Sequence, residues 1–364
     1  METLLAFLFV LSVLVFVHEY GHYWVAIKNG VKVEAFSIGF GPELFGWMDK
    51  KGTRWKVSLI PLGGYVKMFG DMNPASAGHR DDLDSEEIKH AFHHKGVAAR
   101  AAIVIAGPLA NFLFAIVVFA VLFSAVGQQR ALPVVGEVLD DSPAAIAGLV
   151  AEDRITEIDG TPVDWFSELS EIVRANPETA LSVSVMREGV PVTLSIVPEA
   201  VAAEDGQSFG RLGVTAGAFE TNRDGIVEGI GRAFETTYSL TAQTFAALGE
   251  MISGDRDSSE LGGPIRIAQM SGQVAEGGLA PLLFFMGYLS ISLGLINLMP
   301  VPVLDGGHLV FYAIEGIRGK PLGAKAQEYG FRIGAGLVFS LIIFATWNDL
   351  TQLGVFSFLK GLAG

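Results

Sequence analysis

The chain has 364 residues, enough for two or three folding units, with a net charge of −14 and no cysteine, which excludes a disulfide framework and thiolate metal ligands. Half of the residues are hydrophobic and only 18% are charged, at a mean hydropathy of +0.44. Such a composition argues against a disordered chain and against an ordinary cytosolic enzyme, and the acidic balance lacks the basic footprint of a nucleic-acid partner.

The first apolar block, Leu4 to Val17, carries no charge and continues past a short polar motif to Ile27. As a helix these residues reach about 36 Å, enough to cross a bilayer. No Lys or Arg precedes the block and no small-residue cleavage site follows it, so it reads as a retained span rather than a signal peptide. The polar motif is His18-Glu19-Tyr20-Gly21-His22, an HExxH. On a helix, positions i and i+4 share a face, so both imidazoles can bind one Zn²⁺ while Glu19 takes a proton from its water. The plain alternative is two helix histidines with other polar partners. Two imidazoles and a carboxylate are expensive in hydrocarbon, and that cost favours a functional reading.

Residues 31–71 alternate in places, with Trp55, Val57 and Leu59 on one face and Lys56 and Ser58 on the other. Gly39, Gly41-Pro42 and Gly63-Gly64 interrupt them, which predicts a hairpin or small sheet near the membrane. Residues 71–96 are polar and read as a mobile linker, with His90, His93 and His94 as a solvated patch. Ala101 to Val126 is a second uncharged block of 26 residues. Within it, Gly107-Pro108 and Asn111 read as helix-packing features.

Residues 134–199 predict a compact α/β module: a strand Val134–Leu139, a short helix from Ser142-Pro143, and a strand Arg154–Ile158. A helix Trp165–Arg174 and a hairpin of Leu181–Met186 with Val190–Val197 complete it. Residues 227–252 predict an amphipathic helix. Gly277 to Leu304 is a third uncharged block, of 28 residues, and Ile333 to Asn348, extended towards Leu359, is a fourth. The third block ends in Asn297-Leu298-Met299-Pro300-Val301-Pro302-Val303-Leu304-Asp305-Gly306-Gly307-His308. Two prolines break the helix, and broken backbone at membrane depth suits a packed site. A catalytic zinc needs a third protein ligand; Asp305 is the leading candidate and His308 its rival, while Asp305 reads equally as a carboxylate at a segment end that reaches the interface. Asn297 reads equally as a packing residue or as a holder of substrate backbone.

Residues 28–100 hold 11 Lys and Arg against 9 Asp and Glu, whereas residues 128–280 hold 9 against 24. The positive-inside rule places the former in the cytoplasm and the latter on the other side.

These residues resemble the site-2 protease family of intramembrane zinc metalloproteases. HEYGH, GPLANF (Gly107–Phe112) and NLMPVPVLDGGHL (Asn297–Leu309) match in type, order and depth, as do FSIGFGPELF (Phe36–Phe45) and IPLGGYVKM (Ile60–Met68). The resemblance implies one Zn²⁺ held by His18, His22 and Asp305, with Glu19 as catalytic base. It implies a β element over residues 36–68 whose edge pairs with an extended substrate, and a substrate-handling role for Asn297. It also implies a single permuted PDZ domain, with Gly213 in the carboxylate-binding loop. The expected fold is a polytopic α-helical membrane protein of four transmembrane helices, with a membrane-associated β element and one inserted PDZ domain. Its expected parts are helix 1 with HExxH (1–27), a cytoplasmic β region and linker (28–96), helix 2 (97–127), the PDZ domain (128–216) and an extracytoplasmic helix and loop (217–278). Helix 3 with LDG (279–310), a cytoplasmic connection (311–328) and helix 4 (329–359) follow. The implied partners are the lipid bilayer and single-pass membrane substrates, anti-sigma factors among them, in a bacterial inner membrane. The rival readings are a catalytically silent membrane scaffold working through the PDZ domain, and a metal transporter; the latter would need several polar residues along a path, where this chain has one compact cluster.

Overall fold

The computed structural model describes residues 2–71, 84–202, 208–255 and 262–353. In chain order the elements are helix α1 (Glu2–Lys28), strands β1 (Val33–Met48) and β2 (Arg54–Met68), and helices α2 (Ser85–Ile88) and α3 (Val97–Val121). Next come β3 (Gln128–Ala131), β4 (Val135–Val138), α4 (Pro143–Ile146), β5 (Arg154–Ile158), β6 (Thr161–Pro162) and α5 (Phe166–Ala175). Strands β7 (Leu181–Arg187), β8 (Val190–Ile196), β9 (Glu199–Ala202), β10 (Ser208–Arg211), β11 (Val214–Ala216) and β12 (Phe219–Asn222) follow. The chain continues with helices α6 (Ile226–Ser253), α7 (Pro264–Glu276), α8 (Leu279–Leu298), α9 (Asp305–Arg318) and α10 (Ala324–Gln352). It divides into two units, one of residues 1–124 and 225–364, the other of residues 125–224.

In the first unit, four helices are long and apolar enough to cross a membrane: Glu2–Lys28, Val97–Val126, Leu279–Leu298 and Lys325–Gln352. Close approach between α1 and α3 depends on a small residue: a Cβ on Gly21 would meet the Ala106 carbonyl and the Ala110 methyl. The third span is shorter than the expected 279–310. Helix α8 stops at Leu298, and Asp305 begins the separate helix α9. Pro300 and Pro302 can donate no backbone hydrogen bond, and the chain turns instead through Val301 N to Met299 O (2.7 Å) and Leu304 N to Val301 O (3.0 Å). The fourth helix starts earlier than expected, at Ala324, and residues 354–359 lie outside those described.

Strand β1 is flanked on both sides by β2. Ala35–Ile38 face Gly64–Lys67 on one side and Arg54–Val57 on the other, while Glu43–Met48 pair with Arg54–Ser58. Residues 64–68 thereby form an edge that no other strand pairs among the described residues. The sheet anchors on a core of Tyr23, Val33, Phe36, Val66, Phe92, Ile103 and Tyr312, with the Phe36 and Trp55 rings stacked 4.2 Å apart. Phe92 shows that residues 84–96 are more than a linker; residues 72–83 lie outside those described. His90 and His94 are exposed as expected, but His93 is only partly so, its Nε2 2.8 Å from a buried Asp71 oxygen.

The second unit has its own core, including Val135, Ile155, Leu169, Val183 and Ile196. Its main sheet has the order β6-β5-β7-β8. The expected hairpin is β7–β8, turning through Glu188 and Gly189 at φ 51° and 81°, the two positive angles of a type I′ turn. Ser142 caps α4 by accepting from Ala145 N. Asp153 is buried. Desolvation alone would raise its pKa, but paired hydrogen bonds from Arg187 at 2.7 and 2.8 Å, together with the Val150 N–H, hold it below the usual carboxylate range.

Candidate active site

The HExxH lies late in α1, on the face turned to α3. His18 and His22 are 8% and 7% exposed, their rings 4.8 Å apart. Asp305 reaches them from the N-terminus of α9. Its Oδ2 lies 3.2 Å from His18 Nε2 and 3.5 Å from His22 Nε2, and the two Nε2 atoms are 3.2 Å apart. Ligands about 2.0–2.1 Å from a tetrahedral zinc stand roughly 3.3–3.4 Å from one another, so the three donors fit that ion. The chemistry of the set agrees. His22 Nδ1 lies 2.9 Å from the Ile103 carbonyl, which can only accept, so the Nδ1 proton is spent there and Nε2 is left to bind metal. Asp305 Oδ2 is buried and, among the described residues, makes no hydrogen bond, with the two imidazole nitrogens beside it. Among the described residues these three are the one cluster of such donors, and the rival His308 is not in it. His308 instead packs its ring 5.2 Å from Phe331.

Local backbone explains how Asp305 arrives. Val303, a β-branched residue, is held at φ 93°, a strained conformation of the kind stored at functional sites. Gly306 and Gly307 have no room for a Cβ: the first would meet the Leu298 and Met299 carbonyls, the second Val301 O and Pro302. Gly107 of α3 faces His22 directly, and a Cβ there would fall on Nε2.

The donors open into a cleft of about 440 Å³, lined also by Glu19, Phe40, Gly64, Tyr65, Val66 and Asn297. The expected base and the expected substrate-handling Asn297 thus share one cavity with the histidines, bordered by the unpaired edge of β2. Asn297 Nδ2 donates to Leu293 O of its own helix. Gly213 belongs to the other unit, at φ 80° against Ser142, its carbonyl accepting from Leu139 N.

Two contacts escape a sequence reading. Nothing in a sequence marks the Ile103 carbonyl as a histidine partner. Asn111, read as a packing residue, places its amide 3.2 Å from His18 Nδ1. The Gly107-Pro108-x-x-Asn111 pattern inside a span was the available signal.

The family model for peptidase family M50 matches residues 6–341. A protein of Rhizobium meliloti named as a zinc metalloprotease is 46% identical over 362 residues, covering 96% of this chain and 97% of its own. One of Agrobacterium fabrum with the same designation is 46% identical over 358 residues, 95% of each chain. Metalloprotease MmpA of Caulobacter vibrioides is 38% identical over 391 residues, covering 99% and 98%. The chain belongs to peptidase family M50. It is a membrane metalloprotease whose cofactor is zinc.

Proposed function

We propose that the chain is an intramembrane protease that cuts the spanning segments of single-pass membrane proteins, in the manner of the proteases that cleave anti-sigma factors in an envelope stress response. The convergence of His18, His22 and Asp305 on one point, beside Glu19 in a cleft between apolar helices, carries this reading. On it, those three residues hold the zinc. When bound, zinc supplies Lewis acidity, polarising the scissile carbonyl and making a water acidic enough to lose its proton near neutral pH. Glu19 accepts that proton and passes it to the leaving amine. A substrate helix is shielded by its own hydrogen bonds and must unwind before attack. The free edge at Gly64–Met68 offers backbone partners to the unwound segment, a form of β-augmentation. Asn297, which lines the same cleft, offers its amide oxygen to that segment.

The unit of residues 125–224 is read as a PDZ domain, with the Gly213 loop as its carboxylate site, limiting which substrates gain access. Charge distribution supports a cytoplasmic face for residues 28–100 and an extracytoplasmic one for this unit, in a bacterial inner membrane. The scaffold alternative is not favoured, because base and metal donors are intact and converge.

Co-expressing the wild type or Glu19→Gln and comparing membrane proteomes tests the reading. The variant should keep its zinc, lose turnover by at least about 100-fold and accumulate uncut single-pass proteins. A fully active Glu19→Gln would end the mechanism. Loss of cleavage confined to water-soluble peptides would end the intramembrane assignment.

A further inference from the structure

Asn111 has a fully buried side chain on α3, facing the HExxH helix. Its Nδ2 is placed 3.2 Å from His18 Nδ1, and its Oδ1 is buried with no hydrogen-bond partner among the described residues. In that orientation the amide donates to Nδ1, so the single proton of a neutral His18 must sit on Nε2. Yet Nε2 is the atom aimed at His22 Nε2 and Asp305 Oδ2, both 3.2 Å away. A protonated nitrogen has no lone pair for a metal. Turning the amide by 180° exchanges its oxygen and nitrogen at no steric cost, because the two ends have nearly the same shape. Either orientation leaves one end of the amide without a partner, so counting hydrogen bonds does not choose between them; the metal does. With zinc on Nε2 the proton must lie on Nδ1, and only an acceptor belongs opposite it.

We propose that Asn111 is a positioning residue for the metal centre, its side-chain oxygen accepting from His18 Nδ1–H and so fixing the tautomer that presents Nε2 to zinc. The inference rests on the ligand assignment given above. Helix α3 then supplies both acceptors for the HExxH pair: the Ile103 carbonyl for His22 and the Asn111 amide oxygen for His18. Asn111 is itself held in place. Its backbone carbonyl accepts from Ser290 Oγ of α8 at 2.9 Å, with Ser290 fully buried. The packing of α3 on α8 is thereby linked to the orientation of a ligand on α1.

The test measures zinc affinity of the detergent-purified full chain by competition with a chromogenic chelator. Asn111→Leu keeps the branched outline of the side chain and removes the acceptor; it should bind zinc about 10- to 100-fold more weakly. Asn111→Asp keeps an acceptor and should bind within about threefold of wild type, as carboxylate-held zinc histidines do. Thermal melting and gel filtration of the metal-free proteins check that each variant folds, and imidazole ¹⁵N shifts of the zinc-loaded protein should show His18 protonated at Nδ1. Wild-type affinity in Asn111→Leu overturns the proposal. So does a folded Asn111→Asp that loses zinc as the leucine variant does, since that result would assign the role to the amide N–H. His22→Ala that keeps its zinc would instead overturn the ligand assignment itself.

Discussion

Gly107 shows how little slack the metal centre has. Its α-carbon stands where a side chain would strike the metal-binding nitrogen of His22. Gly107→Ala overpacks a rigid helix contact, at a cost of about 1–3 kcal/mol. Because the clash falls on the ligand atom, zinc content should suffer beyond stability: at least about a tenfold loss of affinity, of the order reported when a ligand's support is disturbed. Gly316→Ala is the control, since nothing lies within 4 Å of its added methyl and alanine favours an exposed helix. Equal zinc affinity in both variants would show that α1 and α3 can move apart freely. At this scale the two histidines and Glu19 were legible because their spacing is a local property of one helix. The meeting with Asp305 was not, since 283 positions of chain separate it from His22 and no periodicity spans that distance.

At the scale of elements, buried carboxylates tie segments together. Asp349 of α10 accepts from Gly263, Ile265 and Arg266 N–H at 2.8 to 3.1 Å, capping α7 from another helix. In the second unit, Asp153 joins the start of β5 to Arg187 at the end of β7. Its folded pKa lies below the unfolded value of about 3.9. Its contribution to stability is therefore complete above that value and fades as pH falls through the folded pKa. Asp153→Asn should lower stability by about 1–3 kcal/mol at pH 6, with the gap to wild type closing below about pH 4. Urea titrations followed by the fluorescence of Trp165, the one tryptophan of that unit, measure this in a background with the other four replaced by phenylalanine. A gap that stays constant from pH 6 to pH 3 would mean that Asp153 titrates alike folded and unfolded. Here the sequence reading served well: β5, the β7–β8 hairpin and the Ser142 cap follow from short-range alternation and turn chemistry. The proline break after α8 was legible as well, but the expected limit of the span at residue 310 was not met, because hydropathy continues through Pro300 and Pro302 while the helix ends at Leu298.

For the molecule as a whole, the spans and charges make a topology that can be measured. Reporter fusions at residue 85 and at residue 205 should report opposite sides of the membrane, with residue 85 cytoplasmic. Both on one side would remove the four-span arrangement.

Sequence alone determined which helices are apolar enough to span, where the HExxH lies within the first, and which local strands and turns build residues 134–199, because hydrophobic runs, i,i+4 spacing and turn residues act over a few positions. Tertiary structure decided the rest. It brought Asp305 rather than His308 to the histidines, through a proline-broken turn with Val303 strained and no Cβ on Gly306 or Gly307. It turned Asn111 from a packing residue into the neighbour of His18, and it left Gly64–Met68 beside the cleft as an edge that no other described strand pairs. Each of these depends on where distant backbone segments come within a few ångströms, which close packing sets and local pattern does not record.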